Sequence, residues 1–416
     1  MQLSSGVFTS TAQQAIVVGQ GSRSADDGRK HLPRLDGSAA GGISRMVMQL
    51  KAPSIYFFST HPSGGIRELW FNLAEGFQAA GVPAGLAAFY PVQPLADASS
   101  NLSWLHLAPT KPTGIIGQVR LLASLARWLR RTRPKAIVTA MPAANVMVPM
   151  VARVFSPSTR VIASHHSPTE THSRIFDRLD SWSGKLRNVA AIVSVSDTVS
   201  RSLDGKPARY RAKRVTIHNG LPPSIELSLD ALTASRTRDR ALGRRLVATG
   251  RLAYQKNYPL LLRALARMRD ATLEIVGNGP DEAELRQMVV DLGLQDRVVF
   301  HGYRPRNETL ALLAKGDVFV QVSRFEGHSL GLLEAARLAL PLVVSDIPVQ
   351  IEAVTSHDGE VRAQSVGMDD VDQLASVCES LLDSPEDYRH WSERSGQIAR
   401  DFTFAAMLAK YDRVLR

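Results

Sequence analysis

The stretch from Gly316 to Val354, GDVFVQVSRFEGHSLGLLEAARLALPLVVSDIPVQIEAV, leaves few folds open. It starts with β-branched and aromatic residues (Val318, Phe319, Val320, Val322) and passes a polar elbow from Ser323 to Ser329. It then becomes a segment whose apolar residues recur at helical spacing. A second apolar run, Leu340 to Val344, reads as a buried strand, so the stretch is a βαβ unit. A helix starting near Ser329 points its free N–H groups and positive dipole end at whatever fills the space beyond the strand, and an anion is the natural occupant. Glu326 lies in the elbow and Glu334 inside the helix, in a Glu-x7-Glu spacing. Two carboxylates that accept from hydroxyls, beside an anion site, suit a sugar phosphate.

The rest of the chain repeats the alternation. IYFFST is a strand, Pro62 to Gly65 a turn, and Ile66 to Ala80 an amphipathic helix. AIVTA, RVIASHH and AAIVSVS follow as strands, then RLVATGRL, ATLEIVG and RVVFHG, with helices expected over Asn307 to Lys315 and near Val371 to Leu382. Alternating strands and helices predict an α/β protein with parallel sheets covered on both faces. At 416 residues the chain exceeds one core and fits two domains. We expect a disordered extension over 1–50, one domain over 51–220, a linker over 221–244 where the period is lost, a second domain over 245–398, and a terminal helix over 399–416 that packs back on the first domain. Met46 and Met48 directly precede the first strand-like run, so either is a candidate natural start.

A net charge of +11 and a pI near 10.0 call for an acidic partner: nucleic acid, anionic lipid or a phosphorylated small molecule. Nucleic acid is disfavoured by the lack of aromatic residues interleaved with basic ones. The helical stretch Ile115 to Arg133 ends in Arg127, Arg130, Arg131 and Arg133. It reads either as a core-facing helix with cations at its C-terminus or as a helix lying on anionic lipid. The single cysteine, Cys378, excludes an internal disulfide and points to a reducing compartment. The apolar stretch Ala136 to Val154 contains Pro142, Asn145 and Pro149 and is read as a strand leading into a helix, not as a membrane span. Histidines 165, 166 and 172 raise the question of zinc, but adjacent residues on a strand point to opposite faces, which opposes joint ligation.

Arg251 and Lys256 lie on a short loop at the end of a strand, where a guanidinium fork and an ammonium can grip a diphosphate. Gly64 and Gly65 would let a phosphate or sugar approach the backbone.

These residues, in order, carry a resemblance: Gly64-Gly65-Ile66, Ser164-His165-His166-Ser167, the strand ending at Ser196, His218-Asn219-Gly220, Gly250-Arg251-Leu252 with Lys256, Val276 to Pro280, His301-Gly302-Tyr303, and Glu326-Gly327 with Leu333-Glu334-Ala335. From about residue 52 onward the chain resembles the retaining GT-B glycosyltransferases of family 4. The resemblance implies two Rossmann-like domains facing across a cleft, and a sugar moved from a nucleotide-sugar donor to a glycan or lipid-linked acceptor without a metal or other cofactor. It assigns the catalytic roles to Glu326, Arg251, Lys256 and His166: Arg251 and Lys256 on the diphosphate, Glu326 on the transferred sugar, and His166 in the cleft. Donor binding falls to Glu334 on the ribose, to the backbone of Gly327, His328, Ser329 and Leu330, to Gly302 and Tyr303 near the base, and to Gly64 and Gly65 on the facing domain. It further implies a cytoplasmic protein that can associate peripherally with the cytoplasmic face of the membrane. His328 departs from the usual aromatic or apolar residue, and Thr355 to Arg362 lacks the family's usual Asn-Gly-Leu-Leu wording. A non-catalytic GT-B protein that binds nucleotide or glycan is the competing reading.

Overall fold

The computed structural model describes residues 53–92, 102–236 and 242–416. The expected disordered extension and the candidate starts at Met46 and Met48 lie outside these residues.

Two parallel sheets form the frame. The first contains β1 (Ile55–Ser59), β2 (Ala84–Ala88), β3 (Trp104–His106), β4 (Ala136–Ala140), β5 (Arg160–His165), β6 (Val189–Ser194) and β7 (Arg214–Thr216), in the order β3-β2-β1-β4-β5-β6-β7. The second contains β8 (Arg245–Thr249), β9 (Thr272–Val276), β10 (Val298–Gly302), β11 (Val318–Gln321), β12 (Leu342–Ser345) and β13 (Gln364–Val366), in the order β10-β9-β8-β11-β12-β13. Every pairing within the sheets is parallel. The chain is an α/β protein, as its alternation implies.

Burial on both faces explains why the strands are apolar without interruption. Phe57 and Phe58 are neighbours, and both are fully buried on opposite sides of β1. Phe57 meets Trp70 and Phe77 of the helix Gly64–Ala79, with ring centroids 5.4 and 5.9 Å away. Phe58 meets Phe89 at 4.9 Å and Trp128 of the helix Gly114–Thr132 at 5.8 Å.

Residues 223–235 differ from expectation. They form a helix, Pro223–Ser235, inside the stretch read as aperiodic. Pro223 suits the first turn of a helix, and Ile225, Leu229 and Leu232 recur at i, i+4 and i+7, a period masked by the Ser and Thr between them. Leu229 is fully buried, and Arg337 grips Asp230 through two hydrogen bonds of 2.6 and 2.8 Å. A further helix, Pro385–Asp401, was not anticipated, and the last helix runs from Phe404 to Leu415. Strands β2 and β3 also escaped the sequence reading, since AGLAA has little β propensity.

The chain passes between the two sheets twice, once after β7 and again near Phe402. The crossings touch: Leu221 pairs with Thr403, and a Cβ on Gly220 would lie 2.5 Å from the Thr403 carbonyl carbon. The last helix packs on the first sheet's side, with Phe404 against Gly76 and Tyr411 fully buried. A second clasp joins the halves. Glu352, in the helix Pro348–Ala353, accepts from the backbone N–H groups of Asp197 and Thr198 at 2.5 and 2.7 Å, from the Thr198 hydroxyl at 2.7 Å and from His218 Nε2 at 2.9 Å.

Candidate active site

In an open parallel sheet the crevice for a ligand opens at the carboxyl ends of the strands, where the order reverses. Here the reversals fall between β1 and β4 and between β8 and β11. The loops leaving β1, β8 and β11 carry Gly64-Gly65, Gly250-Arg251 and the Ser323–Ser329 elbow. A cleft of about 980 Å³ opens there, lined from both sheets.

The elbow carries the densest chemistry. Lys256 Nζ lies 2.6 Å from Glu326 Oε1, and the same oxygen accepts from the Ser323 hydroxyl at 2.8 Å. Glu326 Oε2 receives no protein donor among the described residues. Tyr258, fully buried nearby, is pushed above the usual phenol range by burial and then by the Glu326 charge. Arg251 is exposed in the cleft and makes no hydrogen bond or ion pair among the described residues. One cation is therefore fixed on a carboxylate, and the other is free to meet an anion.

The helix Leu330–Arg337 begins at Ser329, whose hydroxyl accepts from the Leu332 N–H at 3.4 Å and donates to Gln321 at 2.8 Å. The N–H groups of Gly327, His328, Ser329 and Leu330 meet no protein acceptor among the described residues. Gly327 cannot be replaced without displacing backbone, because its Cβ would lie 2.2 Å from the His166 carbonyl oxygen of the facing half. His328 is buried edge-on to His218 and Phe402, with centroids 5.2 and 4.7 Å away. Burial, then the neighbouring His218, lowers its pKa to about 3, so the ring is neutral. Its contacts tie the elbow to the crossing points between the halves.

Glu334 is buried in the same helix. Burial raises its pKa, and Arg306, with Nη2 2.5 Å from Oε1, opposes that rise. Arg306 also reaches Glu68 of the facing half at 3.2 Å, Glu68 pairs with Arg67 at 3.0 Å, and Arg67 donates to the Tyr303 hydroxyl at 3.3 Å. A chain of charge thus runs from Glu334 across the cleft mouth. Sequence reading missed Arg306 and Glu68, since no spacing links either to Glu334. Only the general expectation that a buried carboxylate needs a cation could have prompted a search.

On the facing wall, His166 follows β5. Its Nε2 lies 3.0 Å from the Ser164 hydroxyl, and its ring stands edge-on to Trp70 at 5.4 Å. Burial, then His165, lowers its pKa to about 3. His165 turns away to Tyr210, whose hydroxyl is 2.9 Å from Nε2 and donates to Asp180 at 2.7 Å. Gly64 and Gly65 line the cleft, and a Cβ on either would meet no atom within 4 Å; glycine at 64, with φ +53°, is favoured by its left-handed backbone, whereas neither packing nor a positive φ calls for glycine at 65. Tyr303 lines the cleft, whereas Gly302 stands behind it, its carbonyl accepting from the Gly277 N–H at 2.9 Å. No residue from Thr355 to Arg362 lines the cleft. Among the described residues the one group with metal-ligand spacing is Asp197, His218 and Glu352, not the three histidines near residue 166. The Glu352 oxygens there are already engaged in the clasp.

Two parallel sheets whose switch points face one another across a single cleft define the GT-B class of glycosyltransferase folds. Residues 63–224 match the family Glycosyltransferase Family 4, and residues 243–397 match Glycosyl transferases group 1. The chain belongs to this glycosyltransferase family. It is 23% identical over 298 residues to the amylovoran biosynthesis glycosyltransferase AmsD of Erwinia amylovora, a match spanning 71% of this chain and 81% of that one. It is 30% identical over 257 residues to a GDP-mannose-dependent alpha-(1-6)-phosphatidylinositol monomannoside mannosyltransferase of Mycolicibacterium smegmatis, spanning 56% of this chain and 65% of that one, slightly less than two thirds of its length. The Anabaena protein HepE, solved with UDP and glucose, superposes with a TM-score of 0.71 at 18% identity, covering 87% of this chain and 99% of HepE, a likeness of fold.

Proposed function

We propose that the protein moves a sugar from a nucleotide-sugar donor to a lipid-linked or glycan acceptor, with retention of anomeric configuration, without a metal, in polysaccharide or glycolipid synthesis at the cytoplasmic face of a membrane. The observation that carries this reading is the convergence in one cleft of an unpaired Arg251, the Lys256–Glu326 pair, four free N–H groups at the elbow and the buried Glu334. Relatives named for amylovoran biosynthesis and for GDP-mannose-dependent mannosyl transfer support the class of substrates.

The half built on β8–β13 holds the donor and the half built on β1–β7 receives the acceptor. Glu334 accepts from the ribose hydroxyls, with Tyr303 near the base. Arg251, Lys256 and the elbow N–H groups surround the diphosphate. As the bond from the anomeric carbon to the β-phosphate oxygen breaks, negative charge grows on that phosphate, and fixed cations and dipoles stabilise it there. They supply the charge that a metal ion would otherwise bring. Glu326, held by Lys256 and Ser323, turns its free oxygen to the sugar hydroxyls. The acceptor hydroxyl attacks from the face the phosphate leaves, and the departing phosphate oxygen takes its proton. His166 bonds to the sugar as a neutral imidazole, adding no positive charge beside a carbon that is itself becoming positive.

A non-catalytic binder would not need the Lys256–Glu326 pair kept beside a free arginine. Thermal stabilisation by UDP-, GDP- or ADP-sugars tests the proposal, since a ligand bound only by the folded state raises Tm by an amount that grows with the logarithm of its concentration over Kd. One nucleotide series should stabilise at micromolar to millimolar concentration, with chelator present or absent. No stabilisation by any of them would refute it.

A further inference from the structure

Eight of the fifteen large hydrophobic side chains exposed among the described residues lie on three neighbouring helices of the first half. These helices, Gly114–Thr132, Pro142–Phe155 and Arg174–Ser183, precede β4, β5 and β6, and the middle one packs against the other two. Successive right-handed crossovers place them side by side on one face of the sheet. Their inward residues belong to the core, Leu125 and Leu129 in the first and Val148 and Ala152 in the second. Their outward residues remain apolar. On the first helix Ile115, Val119 and Leu122 recur at i, i+4 and i+7, with Ile115 84% exposed. On the third, Ile175, Leu179 and Trp182 repeat that spacing, at 71% exposure for Ile175 and 51% for Trp182. Val154, 68% exposed, closes the middle helix.

The unpaired charge on these three helices is positive. The first two helices contain no acidic residue. Both acids of the third are already engaged: the half-exposed Asp177 binds Lys206 at 2.6 Å, and the buried Asp180 accepts from Tyr210 at 2.7 Å. Arg127, Arg130 and Arg131 line a groove of about 500 Å³ with Phe155, and none forms an ion pair among the described residues. Arg130 lies over the Phe155 ring, 4.5 Å from its centroid. Helices in such sheets run back from the carboxyl edge of the strands, so Ile115 and Ile175, each in a first turn, stand at the rim where the cleft opens, and the arginines stand at the other end.

We infer that this three-helix face docks on an anionic lipid bilayer, with the isoleucines and Trp182 entering the headgroup boundary and Arg127, Arg130 and Arg131 taking lipid phosphates. An amphipathic surface with an apolar stripe and basic groups has the form that binds an interface plane. Charge disfavours a second copy of the chain as occupant, because a two-fold contact would bring together two faces that each carry excess positive charge. The inference deepens the reading of a lipid-linked acceptor, since it brings the membrane surface to the rim of the acceptor half.

The test is co-sedimentation of the full chain with phosphatidylcholine vesicles, with or without phosphatidylglycerol, alongside light scattering of the free protein. Wild type should bind the anionic vesicles and lose binding as salt rises. Arg127→Gln, Arg130→Gln and Arg131→Gln together should weaken binding about a hundredfold, roughly fivefold per arginine, and remove most of the salt dependence. Ile115→Ser with Ile175→Ser should weaken it about tenfold per residue. Unchanged thermal unfolding would show that these exposed substitutions spare the fold. Equal binding to both vesicle types, binding untouched by either variant set, or a dimer in solution that the isoleucine variants dissociate would overturn the inference. The measurement uses neither donor nor acceptor, so its failure leaves the transferase reading standing, and an absence of transfer leaves the lipid surface standing.

Discussion

Glu326 and Glu334 are both buried carboxylates paired with a cation, yet they are wired differently. The Lys256 that holds Glu326 belongs to the same half of the molecule, and Ser323 from the same elbow adds a hydrogen bond. This arrangement is complete whether or not the facing half is near. The Arg306 that holds Glu334 also reaches Glu68 across the cleft, so its setting depends on the halves being apposed. Glu326 belongs to a preorganised charge site, whereas Glu334 belongs to a contact that reports the relation of the two halves. Cleft closure, which excludes water and completes such sites, would act on the second more than on the first.

The comparison can be broken most severely at Lys256. Lys256→Ala leaves Glu326 buried without its partner and, under the proposed mechanism, removes a cation from the transition state, so kcat should fall by about 10²–10³ with a smaller change in donor KM. Steady-state kinetics would check this, and an effect confined to KM would show that the lysine serves binding alone. Glu334→Ala should do the reverse, raising donor KM roughly tenfold with little loss of kcat, because ribose contacts hold ground state and transition state alike.

Arg306→Met sharpens the contrast through pH. The Glu334 carboxyl is already raised by burial, and loss of the opposing Arg306 raises it further. The ionised form, the one that would accept from the ribose in the proposed function, is then lost as pH falls through the raised value. Donor KM for the variant should therefore begin to climb at a higher pH than it does for wild type as pH falls, and Arg306→Lys should move the rise back towards the wild-type position. A pH-independent rise would mean that Arg306 acts only as packing. The group facing Glu334 from the other half is Glu68, whose negative charge pushes in the same direction as burial.

The smallest effect concerns the clasp outside the cleft. Burial pushes the Glu352 carboxyl up, but hydrogen bonds from His218, Thr198 and the backbone at 197 and 198 outweigh this and hold its pKa at about 2. A carboxyl depressed in the folded state gives stability that is present above its unfolded value, near 4.5, and is lost as pH falls toward 2. Glu352→Gln should flatten part of the decline in Tm across that window and leave kcat within about twofold. An acid profile identical to that of wild type would place the clasp's contribution elsewhere.

The sheets, most helices and the cleft wall formed by the elbow, Arg251 and Lys256 were legible because each rests on local pattern. A strand buried on both faces is an apolar run, and the elbow, Arg251 and Lys256 follow strand ends directly. The missed features are those that sequence proximity does not encode. Arg306 finds Glu334, and Glu352 finds the N-terminus of the helix Asp197–Arg201, only after folding has brought distant elements together. The helix Pro223–Ser235 was missed because its leucine spacing is diluted by small polar residues, and it is stabilised by tertiary contacts through Leu229 and Asp230. Of Gly302 and Tyr303, which the resemblance puts near the base, Tyr303 lines the cleft while the Gly302 carbonyl accepts from the Gly277 N–H.

The central claim, that the cleft performs transfer and does not merely bind, is tested most directly by measuring nucleoside diphosphate release from UDP-, GDP- and ADP-sugars with wild type and Lys256→Ala. The account predicts release from one nucleotide series by the wild type, coupled to a glycosylated product when acceptor is supplied. It further predicts a loss of about two orders of magnitude or more in the variant, with nucleotide binding retained. Nucleotide binding by both proteins, with release from neither, would contradict it.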